Sequence, residues 1–406
     1  MSDAPLRVLL FRHTASKDLQ PYEDEIARAL QGGKEPRGYL ATGDDLGVDL
    51  RIFGSAPAAE QPPREFLDQL CHALVVVLVD RELIGHGDDL LWGWLAECYA
   101  HVKDSKKRHA VLPLAAGEET ARDFLAKRVE FGELQVGLLP GFGEEAIRPA
   151  MVALRVLHEC RVLLARAVRG VLLTPPDDGQ ASEPGYLRLF ISHAKADGLP
   201  LAQALRYQIK STGWLRSYYD ADDLPVGSDW KAELERGVGS SLIIMLRTDI
   251  YDSRYWCQQE ALWADEYAVP AVLVDARTGL NFGSGSLPFD RVPMVRIPDG
   301  NLLRILSVAL REGLRFLLFA RKVEELRKAA LEQVDVRIFS YPPSMTALLS
   351  ACRLLQASEK DERMILYPDE PPMRPGVYEA AHALVDAYGT RTKLRTPKML
   401  AAQGEA

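Results

Sequence analysis

Basic residues are in deficit in this chain: 49 Lys and Arg stand against 57 Asp and Glu, a formal net charge of -8 over 406 residues. Neutralising a phosphate backbone needs a basic surplus, so nucleic acid is not expected as a main ligand. Cysteine is scarce as well. The five present (Cys71, Cys98, Cys160, Cys257, Cys352) are odd in number and far apart, with no CxxC pair and no Cys/His cluster at zinc spacing. That pattern offers neither a disulfide framework nor a structural metal, and a reducing, cytoplasmic setting fits it. Long hydrophobic runs are missing too. The longest uncharged apolar run, Ala73 to Val79, falls far short of the ~20 residues of a membrane span. The opening MSDAPLRVLLFRH is acidic first and only briefly apolar, which does not read as a signal peptide. A soluble cytoplasmic protein with no membrane partner is the expectation.

What is present is a globular composition, 47% hydrophobic and 26% charged, on a chain long enough for two or three domains. The clearest break is TPPDDGQASEPG, Thr174 to Gly185, a polar stretch rich in Pro and Gly that reads as a linker. The segments on its two sides resemble each other. LRVLLFRHTASKD, from Leu6, and LRLFISHAKAD, from Leu187, each run from a strand into a polar loop. HALVVVLVDRELI, from His72, parallels SSLIIMLRTDIY, from Ser240, and each leads through a polar turn to a helix containing tryptophan. Each half then has a further short strand and closes on a long apolar-periodic helix. This is the signature of a tandem duplication of one α/β unit.

In the second unit strands alternate with helices of 10 to 15 residues, which predicts a doubly wound parallel sheet covered on both faces. Asn301 to Gln333 reads as a long helix. After it come strand-like DVRIFS, ERMILYP and TKLRTP with helix-like MTALLSACRLLQ and GVYEAAHALVDAYG between them. The expected organisation is therefore two flavodoxin-like domains, residues 1–173 and 186–325, joined by a linker at 174–185. A small α/β module follows at 326–406, packed on the rest because it is too short for much core of its own.

Ligands of a doubly wound sheet sit at the carboxyl ends of its strands. Three features of the second unit converge there. Ser192 and His193 end the first strand, and the acidic loop DADDLPVGSDW, Asp220 to Trp230, leaves the second. Trp256 and Glu260 open the helix after the third; four residues apart, they stack on one helix face.

LFISHAKAD, the acidic loop with LPVGSDW, and YDSRYWCQQEALWA resemble three successive motifs of the Toll/interleukin-1 receptor (TIR) domain family, in particular bacterial members that cleave NAD+. The resemblance spans roughly Tyr186 to Asp299. The family's Trp-xxx-Glu arrangement matches Trp256 and Glu260, and its Ser-xx-Trp-Cys lead-in matches Ser253, Trp256 and Cys257. It implies an NAD+ glycohydrolase or cyclase with Glu260 catalytic, acting in antiphage immunity and activated by self-association through TIR domains. NAD+ would be the substrate and no other cofactor is implied. Residues implied around the substrate are Phe190, Ser192, His193, Asp220, Asp223, Trp230, Ser253, Trp256 and Cys257. The chemistry is coherent: the leaving nicotinamide is neutral, so one carboxylate beside the ribose suffices where an ordinary glycoside needs two. An aromatic face, from Trp256 or Phe190, attracts the pyridinium by about 0.5–2 kcal/mol.

Plainer readings stand beside these. Glu260 reads also as an exposed helix glutamate, Trp256 as a half-buried packing residue, and Ser253 as the N-cap of its helix. His193 suits a strand end that hydrogen-bonds a loop, Cys257 a small apolar filler, and the aspartates a solvated turn. GLNFGSGS, Gly279 to Ser286, opens no clear helix and is discounted as a dinucleotide fingerprint. In the first unit, aligning Trp92 with Trp256 puts Ala96 where Glu260 stands, with Glu97 one residue, about 100°, round the helix. That unit reads as a degenerate, non-catalytic copy. Two other functions remain open: a non-enzymatic TIR scaffold for homotypic assembly, and a nucleotide-binding sensor in which the first unit or the C-terminal module holds a ligand that releases the second unit. An activating protein or nucleotide ligand is a further expected partner.

Overall fold

The run LRVLLFR forms strand β1 (Leu6–Arg12), with its first six residues buried. HALVVVLV forms β3 (His72–Val79), buried throughout, as expected of a central parallel strand with helices on both faces. In this computed structural model the described residues are 4–32, 45–54, 72–86, 89–104, 109–140, 145–168, 188–218, 230–279, 292–297, 300–331, 333–356, 360, 362–388 and 391–403. They divide into two units, Met1–Ala167 and Val168–Ala406. The predicted linker, 174–185, lies outside the described residues.

The first unit adds β2 (Asp49–Gly54), β4 (His109–Ala115) and β5 (Gly137–Leu138) in one all-parallel sheet of order β2-β1-β3-β4-β5. Its closing helix, Arg148–Ala167, packs along the helix Gln20–Gln31. That long helix carries His158, whose imidazole is pushed down to about 3, first by burial and then by the Arg161 guanidinium. An unfolded chain takes up this proton near pH 6.5 and the folded unit does not. The first unit should therefore lose stability as pH falls below about 6.5, by up to ~1.4 kcal/mol per pH unit. Replacing His158 with glutamine is expected to flatten that slope. Amide exchange in β3, compared between about pH 7.5 and about pH 5, measures it.

The second unit repeats the strand order. β6 (Arg188–His193), β7 (Arg216–Tyr218), β8 (Leu242–Arg247), β9 (Ala271–Asp275) and β10 (Met294–Arg296) form an all-parallel sheet, β10-β9-β8-β6-β7. In both sheets the first strand lies between the second and third, the flavodoxin-like doubly wound arrangement. Right-handed crossovers then send the helices after the first and third strands to opposite faces, leaving a crevice between those strands. The edge strands β5 and β10 and the second strand β2 were not anticipated from sequence.

Asn301 caps the helix Leu302–Ala330, its side-chain oxygen accepting from the amide nitrogens of Leu303 at 3.1 Å and Arg304 at 3.4 Å. A boundary between 325 and 326 falls inside this helix. Beyond it β11 (Val334–Ile338), β12 (Glu362–Leu366) and β13 (Thr392–Arg395) form a three-stranded parallel sheet, with helices Met345–Gln356 and Pro375–Tyr388 as the crossovers. A last helix, Pro397–Gln403, was not foreseen. The helix Met345–Gln356 packs on the helix Tyr255–Glu266, and Ala268 joins the module's core beside Phe339, Leu348 and Cys352. Among the described residues no helix is long and apolar enough to cross a membrane. Cys98, Cys160, Cys257 and Cys352 are buried free thiols.

Candidate active site

Strand β6 ends on Ser192 and His193, in register with Met245 and Leu246 of β8. These two strands flank the crevice. After β8 the chain makes a turn at Thr248–Ile250, a 3-10 turn at Tyr251–Ser253, and the helix Tyr255–Glu266. The turn is anchored across the crevice: Asp197, in the loop after β6, accepts from the Thr248 hydroxyl at 2.7 Å and the Ile250 amide at 3.2 Å. Asp249 accepts in turn from the Thr278 hydroxyl at 2.7 Å and the Gly279 amide at 3.0 Å, after β9. Those bonds, the Thr278 hydroxyl first, hold the Asp249 carboxyl below the usual range. Gly198 closes the loop after β6 so tightly that a Cβ there would lie 2.9 Å from the Ala194 carbonyl oxygen. Arg247 Nε lies 2.9 Å from both oxygens of Asp252. Three loops of the carboxyl edge are thus stitched together by side chains, a rigid frame for whatever they hold.

Within that frame three buried polar groups meet. The Ser192 hydroxyl lies 2.5 Å from Glu260 Oε2 and 2.6 Å from the Tyr251 hydroxyl. Glu260 is 4% exposed, Ser192 1% and Tyr251 0%. Burial first, then the Glu260 charge, raises the Tyr251 phenol well above 10, so it stays a hydroxyl through the neutral range. The sequence placed Ser192 and Glu260 at one edge, and the structure joins them directly. Tyr251 was missed as a site residue.

One turn before Glu260, Trp256 is half-buried against the core and meets Trp230 edge-on, ring centroids 4.3 Å apart and planes at 68°. Tyr255 also meets Trp256 edge-on, at 5.0 Å. Trp230 and Tyr255 are 48% and 62% exposed. An aromatic surface therefore lies where the Glu260 helix begins, and Tyr255 is a member of it that the sequence reading overlooked.

Other expectations are corrected. Phe190 is wholly buried in the core with Leu234, Met245 and Tyr251, so it offers no face to a ligand; Trp230 and Tyr255 are the aromatics at the edge. Ser253 does not cap the helix. Its hydroxyl donates to the Ile250 carbonyl at 2.7 Å, and Arg254, with extended backbone, takes the N-cap position. Cys257 is buried among apolar neighbours, the filler role. His193 is buried, its Nδ1 3.2 Å from the Ile191 carbonyl oxygen. Asp220 and Asp223 lie outside the described residues. No metal-binding group of three His, Cys, Asp or Glu occurs among the described residues.

Among the described residues the corresponding helix of the first unit shows apolar packing in place of such a chain. Trp92 is buried against Phe124 and Phe131, under the Arg128 guanidinium. Ala96 packs on the same core, and Glu97 is exposed.

No curated protein matches the chain. It is similar at 12% identity to the solved "Putative sugar binding protein from Salmonella typhimurium LT2", over 76% of this chain and 88% of that one with a TM-score of 0.17. It is likewise similar to PH0766 from Pyrococcus horikoshii OT3, 12% identical over 97% of this chain and 94% of that one, with a TM-score of 0.20. At such TM-scores neither likeness bears on fold or activity. Residues 189–283 match the family model of the TIR domain, about a quarter of the chain and the stretch that holds Ser192, Tyr251, Trp256 and Glu260, which supports a TIR domain protein.

Proposed function

We propose that the second unit cleaves NAD+ at the bond between nicotinamide and ribose, with Glu260 as the catalytic carboxylate. The observation that carries this reading is Glu260 held on Ser192 at the strand crevice, one turn from an aromatic surface, within the TIR-matching stretch. In the reaction the bond from ribose C1′ to the pyridinium nitrogen breaks and its electron pair neutralises the ring. The Glu260 carboxylate stabilises the oxocarbenium-like charge left behind and holds the ribose hydroxyls. Water then adds to C1′ and releases a proton, giving ADP-ribose, nicotinamide and H+. Capture by the adenine of the same molecule gives a cyclic ADP-ribose instead. Trp256, with Trp230 or Tyr255, faces the pyridinium.

Glu260 is 4% exposed, so the edge must open before a ribose reaches it. Activation by self-association, with cytoplasmic NAD+ loss or a nucleotide signal as the immune output, fits a site that is closed in the single chain. The same closure favours the second reading, a TIR scaffold that assembles without chemistry. Nicotinamide release from NAD+, followed over a series of chain concentrations, separates them. The enzyme reading expects specific activity to climb with concentration as assemblies form. Silence at every concentration, with assemblies seen by light scattering and with the chain forcibly clustered, would leave the scaffold.

A further inference from the structure

Glu260 does not stand alone. Its Oε2 is the end of a chain of three buried polar groups in a core otherwise built from Phe190, Ala261, Met245 and other apolar side chains. Proton accounting fixes the direction of that chain. Serine and tyrosine hydroxyls have one proton each. If Ser192 gives its proton to Glu260 and Tyr251 gives its own to Ser192, every proton has an acceptor. Reversed, with Glu260 protonated and donating, Ser192 donates to Tyr251 and the phenolic proton is left over. Among the described residues the only partner of that phenol is Ser192, and Tyr251 is 0% exposed. The reversed chain thus leaves a buried donor unmade, at a cost of about 1–3 kcal/mol. The satisfied order is Tyr251 to Ser192 to Glu260 Oε2.

We propose that Tyr251 and Ser192 are positioning residues that hold the Glu260 carboxylate of the proposed reaction in one orientation through Oε2. This rests on the NAD+-cleaving reading. Each hydroxyl polarises the next, which strengthens the final bond to the carboxylate in a dry site. The charged and titratable groups near Tyr251 are Glu260 and Cys257 from the helix and Asp252 from the turn. All are acidic, so they keep the phenol protonated and donating. Position matters because a cationic transition state is stabilised only by a carboxylate already in place when charge develops. A side chain free to swing over two or three rotamers forfeits much of that effect. The sequence hides the pair: Ser192 lies 68 residues from Glu260 and 59 from Tyr251.

The test compares the full-length chain with Tyr251→Phe, Ser192→Ala and Ser192→Thr. Phenylalanine keeps the packing of the ring, so Tyr251→Phe is expected to fold, and an unchanged melting temperature checks it. kcat should fall about tenfold in Tyr251→Phe and about a hundredfold in Ser192→Ala, the loss of hydrogen bonds to a charged group. KM should stay within about twofold, and Ser192→Thr should recover most of the rate. The acid limb of the pH profile should move to higher pH in both deletions, because a donor to the carboxylate has gone. A second readout is independent of catalysis: the 13Cδ resonance of Glu260, assigned by its absence in Glu260→Gln, should titrate at higher pH in Tyr251→Phe. A wild-type chain that releases no nicotinamide even when assembled and forcibly clustered would refute the enzyme reading, and the resonance would then decide the positioning role by itself. An unchanged rate, pH profile and resonance in Tyr251→Phe, or a lowered melting temperature with profile and resonance unmoved, would overturn it.

Discussion

Replacing Glu260 with glutamine is expected to lower nicotinamide release by about a thousandfold or more while leaving the fold and self-association intact. The size follows from the chemistry. Removing one preorganised electrostatic stabiliser typically costs about 10²–10³ in kcat, and here the site is buried and no second carboxylate is required to share the work. Glutamine has the same shape, and its amide oxygen can still accept from Ser192, so melting temperature should change little. The pairing of outcomes is what discriminates. Lost release with unchanged assembly assigns chemistry to Glu260. A Glu260→Gln chain as active as the wild type would remove the carboxylate from the mechanism and, with it, the proposed enzyme.

Much of this edge was legible in the sequence because it depends on short-range geometry. Trp256 and Glu260 are related by helix spacing alone, and the strand ends locate the crevice once the alternation of strands and helices is seen. Tyr251 escaped because a tyrosine after an apolar strand reads as packing, and only the fold brings Ser192 to it. Phe190 was misplaced for a related reason. In a strand buried on both faces, no alternation of polar and apolar residues shows which way a side chain points. Ser253 reads as a cap because a serine before a helix usually is one. Here a 3-10 turn intervenes and moves the helix start past Arg254. The edge strands β5 and β10, two and three residues long, are too short to carry a period. In the C-terminal module each main strand and helix has its own pattern and was read correctly. That it packs on the rest follows from its length; which residues make the contact was not readable, since they lie some 70 positions apart.

Those contacts support a second large effect, at a site far from any chemistry: Tyr341→Ala is expected to destabilise the whole second unit. Three carbonyls at and just past the end of the Glu260 helix are met by two side-chain donors of the module. Arg337 Nη2 donates to Glu266 O at 2.7 Å, and the Ser340 hydroxyl lies 3.1 Å from Ala268 O and 3.3 Å from Val269 O. Ala268 itself has a φ of 57°, a left-handed backbone that a residue with a Cβ adopts only when its surroundings enforce it. Ser344 donates to Asp265 in the same helix. At the centre, the Tyr341 hydroxyl lies 3.0 Å from Ala271 O and 3.1 Å from Glu312 Oε2, with the Arg315 guanidinium over its ring. Burial, and then Glu312, raises this phenol well above 10, so it remains a hydrogen-bond donor. Truncating a buried aromatic to alanine costs about 3–5 kcal/mol. In a unit of this size each kcal/mol moves Tm by about 2–4 °C, so a fall of about 10 °C is expected. Tyr341→Phe, which keeps the ring, should lose only about 1 kcal/mol. Amide exchange distinguishes the mechanisms. If the module caps the Glu260 helix as part of one cooperative unit, protection should drop together in β8, β9 and β12. Protection lost in β12 alone would make the module a separate fold resting on its neighbour, and the position of Glu260 would then owe nothing to it.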